Sequence, residues 1–279
     1  MRSQGTGRLI KRTLLVCAGL LALNSADGYA QACQVPDSVR GMIPAVALPA
    51  VPYATRWVTG AEGASVPLGV GHLHYSDQNL VVDLPPGAND WLQRVALPLS
   101  SAPGVAPFAW IAEGWILAGG ATPEPLSRSG LIETGYEEPS FVVLETRPDG
   151  WLRLRYVLSD EGLGTAWTHS CALSDGPVVL EFTEWSAWLM SETISPLFFR
   201  SDSQGGLRSA PSMDATDLPD IASDYILEPL EIRGEWMKVT VKEPSDYCNF
   251  DLESSRREGW VRWYRPERGP LLWYFTRGC

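Results

Sequence analysis

With 279 residues, 45% of them hydrophobic and 20% charged, the chain has room for two or three domains with sizeable cores. Its formal net charge of −11 repels phosphate backbones and anionic lipid, which sets nucleic acid aside as an expected partner. No apolar run reaches the roughly 18 residues of a transmembrane helix, so no transmembrane segment is expected.

The first thirty residues read as a leader. Arg2, Arg8, Lys11 and Arg12 form a basic start, Leu14 to Leu23 an apolar run of ten, and Gly28-Tyr29-Ala30 or Ala30-Gln31-Ala32 a small-residue cleavage site. A signal peptide over 1–30 predicts a periplasmic or extracellular protein, and its loss takes the net charge from −11 to −14. Lipidation of Cys33 is disfavoured, because Ala30-Gln31-Ala32-Cys33 lacks the usual aliphatic residue at its head. Beyond the leader, Cys33, Cys171, Cys248 and Cys279 remain, an even number that predicts two disulfides in an oxidising compartment, with three possible connectivities. Cys248 with Cys279 is preferred because both lie in the last part of the chain, which leaves Cys33 with Cys171. A four-thiolate zinc site is disfavoured by the lack of any C-x-x-C pair.

Residues 33 to 66 set Pro36, Pro44, Pro49 and Pro52 among Ala and Val, a composition for extended or edge structure with Trp57-Val58 as its one strand. After that the chain aligns with itself. Pro67-Leu68, Pro125-Leu126 and Pro196-Leu197 each open a copy. An apolar strand follows at Leu80, Phe141 or Ile226, then a turn rich in Pro, Gly and Asp. A Trp-led strand begins at Trp91, Trp151 or Trp236, and a last strand carries Trp110, Trp167 or Trp260. In the second copy Leu152, Leu154, Tyr156 and Leu158 alternate with Arg153, Arg155 and Val157. In the third, Met237, Val239 and Val241 alternate with Lys238 and Thr240. This is the period of a sheet with one buried face. The first copy breaks step, since Leu92, Val95 and Leu97 share a face only with a bulge between them. The third carries an insertion, Ser201 to Asp224, whose Ser, Asp and Gly predict a surface loop. Between copies two and three, Phe182, Trp185, Trp188 and Leu189 predict one short amphipathic helix over Glu181 to Glu192.

A strand, a turn, Gly150-Trp151-Leu152 or Glu235-Trp236-Met237-Lys238-Val239, a loop and Gly259-Trp260-Val261 together resemble the bacterial SH3-like domain. The resemblance implies an all-β fold of tandem small half-open SH3-like β-barrels with one short helix. Its expected parts are a signal peptide at 1–30, a divergent small β domain at 31–118, a barrel at 119–176, and a barrel with the preceding helix and insertions at 177–279. It also implies attachment to a cell-wall glycan or peptide, or to an envelope protein.

Recurrence at fixed positions assigns Trp151, Trp167, Trp236 and Trp260 to the core. Outside the repeat, Trp263, Tyr264, Trp273 and Tyr274 cluster with Arg262, Arg265 and Arg268 in an otherwise acidic chain, so Trp263, Tyr264, Trp273, Tyr274, Arg262 and Arg265 are the candidate ligand-binding residues. A terminal hairpin turning at Pro266 to Pro270 accounts for the same residues structurally. His72 and His74, with Asp77, fall short of the three or four ligands of a zinc site. Cys171 beside His169 forms a nucleophilic pair only where Cys171 escapes oxidation. Glu137-Glu138 and Glu181 with Glu184 are the acidic pairs open to a glycosidase reading. No nucleophile elbow, phosphate loop or dinucleotide fingerprint is present. The leading expectation is therefore a binding module without catalytic residues, cofactor or metal. Its rivals are a cell-wall hydrolase with an unrecognised site and a structural or inhibitory protein.

Overall fold

The computed structural model describes residue 33 and residues 66–76, 91–112, 115–118, 125–128, 130–135, 138–158, 162–176, 178–191, 196–200, 203, 205–222, 225–242 and 257–276. The leader at 1–30, Trp57-Val58, Asp77, the Leu80 strand, Glu137, Cys248 and Cys279 lie outside the described residues.

Ten strands form one antiparallel sheet. They are β1 (Gly71–Tyr75), β2 (Ala96–Leu99), β3 (Ala109–Ala112), β4 (Trp115–Ala118), β5 (Pro125–Arg128), β6 (Ile132–Gly135), β7 (Glu138–Thr146), β8 (Trp151–Val157), β9 (Leu163–His169) and β10 (Leu180–Glu184). The order is β10-β1-β7-β8-β5-β4-β3-β2, with β6 on β7 and β9 on β8. A single pair, Arg128 with Val157, joins β5 to β8. At the other end Ser100 and Trp167 exchange two backbone hydrogen bonds of 2.8 Å, which bring β9 back beside β2. Pairing therefore runs in a circuit through β2, β3, β4, β5, β8 and β9. Leu97, Leu99, Ile111, Ile116, Leu152, Leu154 and Ala166 belong to one buried cluster along these strands.

A second cluster lies on the C-terminal half. There β12 (Ile226–Arg233), β13 (Trp236–Lys242) and β14 (Arg257–Arg262) form a three-stranded sheet, after the short β11 (Phe198–Phe199). β11 pairs with β17 (Leu272–Trp273), which follows the two-residue pair β15 (Tyr264–Arg265) and β16 (Gly269–Pro270). In both halves the Trp-led strand is the middle one of three, β7-β8-β9 and β12-β13-β14. Each is entered through a tight turn whose glycine has positive φ, 87° at Gly150 and 57° at Gly234, a conformation that glycine adopts without steric cost.

β7 joins the two clusters. Phe141, Val142 and Val143 are all 0% exposed: Phe141 and Val143 face the first cluster and Val142 the second. A strand covered on both faces reads as an unbroken apolar run, and Phe-Val-Val-Leu is such a run. β1 fits between β7 and β10, so strand pairing crosses both expected boundaries, at 118/119 and at 176/177. The first two expected parts share this sheet, and the third joins it through β10 while β12, β13 and β14 form a sheet of their own.

Two local expectations are corrected. Trp91 opens a short 3-10 turn, Trp91–Arg94, instead of a strand. The expected helix over Glu181 to Glu192 is strand up to Glu184 and helix α1 (Trp185–Leu189) after it. The ladder that β1 offers to Leu180–Glu184 outweighs the propensity of a helix this short. Phe182 packs on the first cluster, while Trp185 and Leu189 enter the second. The Ser201 to Asp224 insertion is more than a surface loop. Leu207 is fully buried, and Arg208 exchanges two 2.8 Å backbone bonds with Trp260, adding a residue pair to the free edge of β14. A Cβ at Gly259 would stand 2.5 Å from Leu207 Cγ, which accounts for glycine before Trp260.

Among the described residues the fold is mostly β with one short α-helix, and no helix is long and apolar enough to cross a membrane.

Candidate functional site

Trp263, Trp273 and Tyr274 are packing residues, 4%, 3% and 8% exposed, and belong to the second cluster. Trp263 Nε1 donates to the Gly234 carbonyl at 3.0 Å, and Trp273 meets Trp185 edge to face at 5.1 Å. Trp188 Nε1 donates to the Tyr274 hydroxyl at 2.6 Å, and that hydroxyl donates to the Thr134 carbonyl at 2.8 Å. Burial pushes the Tyr274 phenol far above its ordinary pKa, so it stays a neutral donor. Tyr264 is half-buried beside Trp263, and Arg262 pairs with Glu235 across the β13 turn. Arg265 is half-buried in the short β15. The surface reading of Trp263, Trp273 and Tyr274 fails because all three rings are buried in the second cluster, Trp273 on the strand that pairs with β11 and Trp263 through its backbone bonds to Glu235 and Leu271.

The two histidines of β1 do not converge on a ligand. His74 donates from Nδ1 to the Tyr75 carbonyl and accepts at Nε2 from Thr183 Oγ1, both at 2.9 Å. His72 is 0% exposed, stacked on Trp185 at 4.5 Å and edge-on to Trp188 at 4.7 Å, and neither of its nitrogens has a hydrogen-bond partner. Burial, then the charge of His74, holds its pKa well below the ordinary 6.5. Above pH 6.5 both folded and unfolded chains carry it neutral, so its contribution to stability is complete there. Below that pH the unfolded chain takes up a proton that the folded chain refuses, and stability falls by up to about 1.4 kcal/mol per pH unit. Urea midpoints at pH 7 and pH 5 are expected to show this loss in the wild type and a smaller one in His72→Phe. Equal losses in the two chains would contradict the assignment.

Of the acidic pairs, Glu181 and Glu184 lie three apart on one strand and so point to opposite faces. Glu181 accepts from Ser76 Oγ, and Glu184 from Ser186 Oγ. They do not form a glycosidase pair.

On the outer face of the strand circuit Trp151, Arg155 and Ser100 are buried, and the partly open part is the stretch around β9, β2 and β3. Leu152, Leu154, Leu97, Leu99, Ala109, Ile111 and Ala166 face the first cluster, and strand alternation sends their neighbours outward. Trp110 lies opposite Pro98, and Trp167 opposite Ser100, two residues further along the same face of β2. Trp167 also pairs with Arg153, whose guanidinium sits 5.7 Å from the indole centroid and 3.1 Å from Glu145 Oε2. Trp110, Arg153 and Trp167 are all partly exposed, and Phe108, next to Trp110, is 40% exposed. Thr165 and Leu163 continue the exposed row along β9. Recurrence predicts Trp167 in the core, whereas its strand parity places it outside. Ala166 lines the cluster, so Trp167 has to face the other way. Trp236 is likewise partly exposed, whereas Trp151 (1%) and Trp260 (7%) are buried.

At the end of this face Cys33 is disulfide-bonded to Cys171, one of the two bridges expected from the sequence. His169 closes β9 beside it, with Nδ1 2.8 Å from Cys171 Sγ. Among the described residues Cys33, His169 and Cys171 are the one group whose atoms are close enough to share a metal ion. No family model, no curated protein and no solved structure matches the chain.

Proposed function

We propose that this is an exported, non-catalytic binding protein built on two SH3-like units, centred on β7-β8-β9 and β12-β13-β14, which recognises a glycan of the cell envelope. The grip is the outer face of β9, β2 and β3. The observation that carries this reading is the pair Trp167 and Trp110 on one side of the sheet, partly exposed and separated by a single strand. Flat indoles at that spacing stack on the apolar faces of sugar rings, while Arg153, Glu145 and Thr165 supply donors and acceptors for hydroxyls. The acidic surface fits a neutral or cationic partner better than an anionic polymer.

Incubation with purified cell-wall sacculi tests it. Retention of the protein without release of soluble fragments is expected. Trp167→Ala is expected to weaken retention about tenfold or more, as exposed anchor Trp residues do, with the urea midpoint nearly unchanged. Soluble products would favour a hydrolase, and undiminished retention of Trp167→Ala would remove this face from the reading.

A further inference from the structure

We propose that the Cys33–Cys171 disulfide is one state of a redox-gated zinc site, and that reduction frees two thiolates which bind Zn²⁺ together with His169 Nδ1. The inference concerns the end of β9 and does not depend on glycan binding. The two sulfurs and Nδ1 lie within 4.8 Å of one another, and all three residues are half-buried, within reach of a small reductant and of an ion.

The imidazole is already oriented as a ligand. Its Nε2–H donates to the Asp149 carbonyl at 2.9 Å, which leaves the lone pair on Nδ1. That nitrogen accepts from the Cys171 backbone N–H at 3.2 Å and faces Cys171 Sγ at 2.8 Å, and coordination would exchange the bond from this N–H for one to the ion. Metal-bound histidines are held in this way, with the far ring N–H on a carbonyl or carboxylate. The ring is also fixed by its surroundings. Trp151 meets it edge to face at 5.2 Å, and a Cβ at Gly150 would stand 2.9 Å from Nε2. Glycine at the Asp149-Gly150 turn therefore provides both the positive φ and the room for the imidazole.

The chemistry balances with a dithiol as reductant. The dithiol gives two electrons and two protons to the Cys33–Cys171 bond and becomes a cyclic disulfide, leaving two cysteine thiols. Zn²⁺ then displaces those two protons as both thiolates and the neutral imidazole coordinate. Two sulfurs on one four-coordinate zinc stand about 3.8 Å apart. The 5.3 Å between the two Cα atoms is a span from which rotation of the side chains reaches that separation. Two thiolates and one imidazole suit zinc and leave its fourth position open to water or another ligand.

The test uses the full chain with Cys17→Ser, Cys248→Ser and Cys279→Ser, so that two cysteines remain, and Co²⁺ as the spectroscopic substitute for Zn²⁺. After reduction and removal of the reductant without oxygen, uptake of one Co²⁺ per chain is expected. Thiolate-to-cobalt charge-transfer absorption and the visible bands of tetrahedral coordination should accompany it, and Zn²⁺ should displace the Co²⁺. The oxidised chain is expected to take up none. His169→Ala, checked by circular dichroism to keep the wild-type fold in its oxidised form, is expected to bind Co²⁺ at least about tenfold more weakly with altered visible bands. The proposal is overturned if the reduced chain binds no Co²⁺. It is equally overturned if His169→Ala binds with unchanged affinity and spectrum, since two flexible thiols would then suffice, whether or not the reduced chain keeps its fold.

Discussion

Trp185→Ala is expected to cost the fold about 3 to 5 kcal/mol, the range for removing a buried indole. Trp185 is 0% exposed at the point where β10 ends and α1 begins. Its Nε1 donates to the Leu68 carbonyl at 2.8 Å and its ring contacts both His72 and Trp273. Truncation would therefore leave a cavity between β1 and the C-terminal strands and leave the Leu68 carbonyl without this donor. Trp185→Phe keeps most of the apolar area but not the hydrogen bond, and is expected to lose about 1 to 3 kcal/mol beyond any packing change. Urea unfolding checks both, with the midpoint falling and the slope unchanged. A Trp185→Ala midpoint within error of the wild type would show that the second cluster does not depend on this residue.

Arg155→Leu is expected to destabilise by about 2 to 4 kcal/mol, through the loss of two charge-assisted bonds to backbone carbonyls. Arg155 is only 2% exposed and donates to the Pro67 carbonyl at 2.6 Å and the Gly130 carbonyl at 3.2 Å. Beside it Arg200, also 2% exposed, donates to the Pro270 carbonyl at 2.8 Å. The two guanidiniums tie together the approach to β1, the approach to β6 and strand β16. Burial, and then the charge of Arg200, lowers the Arg155 pKa to about 10, so it remains charged at neutral pH. Leucine would relieve that desolvation and repulsion, which is why the expected loss stays below the sum of the bonds. Because either single variant already relieves the repulsion between the two cations, the double variant Arg155→Leu/Arg200→Leu is expected to lose more than the two single losses added together. Arg155→Lys keeps the charge without the planar fork that reaches two carbonyls at once, so it should recover only part of the loss. Full stability of Arg155→Leu would end the idea of a clasp.

These two residues also show how far the chain could be read in advance. In the sequence Trp185 is part of an apolar pattern at i, i+3, i+6 and i+7 that predicts one helix, because such spacing cannot reveal that a neighbouring strand will pair with its first half. Arg155 was visible as an outward residue of an alternating strand. Its burial depends on segments 88 and 25 residues away whose carbonyls meet it. The candidate site shared this fate. Trp263, Trp273 and Tyr274 read in sequence as a basic and aromatic surface, yet all three are buried in the second cluster by segments distant in the chain. Trp167 looked like core by recurrence, yet its own strand parity sends it outward. The parity signal was present in Ala166-Trp167-Thr168 and was outweighed by the repeat.

By itself the sequence determined the local rules of this protein. These are the alternation of β8 and β13, the glycine turns that enter them, the doubly apolar run of β7, and the placing of a Trp-led strand at the centre of each three-strand unit. It also left three connectivities for the cysteines, the preferred one including Cys33 with Cys171. Tertiary structure alone decided that β1 inserts between β7 and β10, that the third expected part joins the sheet of the first two through β10, and which aromatic rings face solvent. The physical reason is that a strand's sequence states which of its faces are apolar, whereas the partner that covers each face is chosen by contacts between residues far apart in the chain. His169 and the two cysteines meet at the end of β9 only because the strands around them have made that choice.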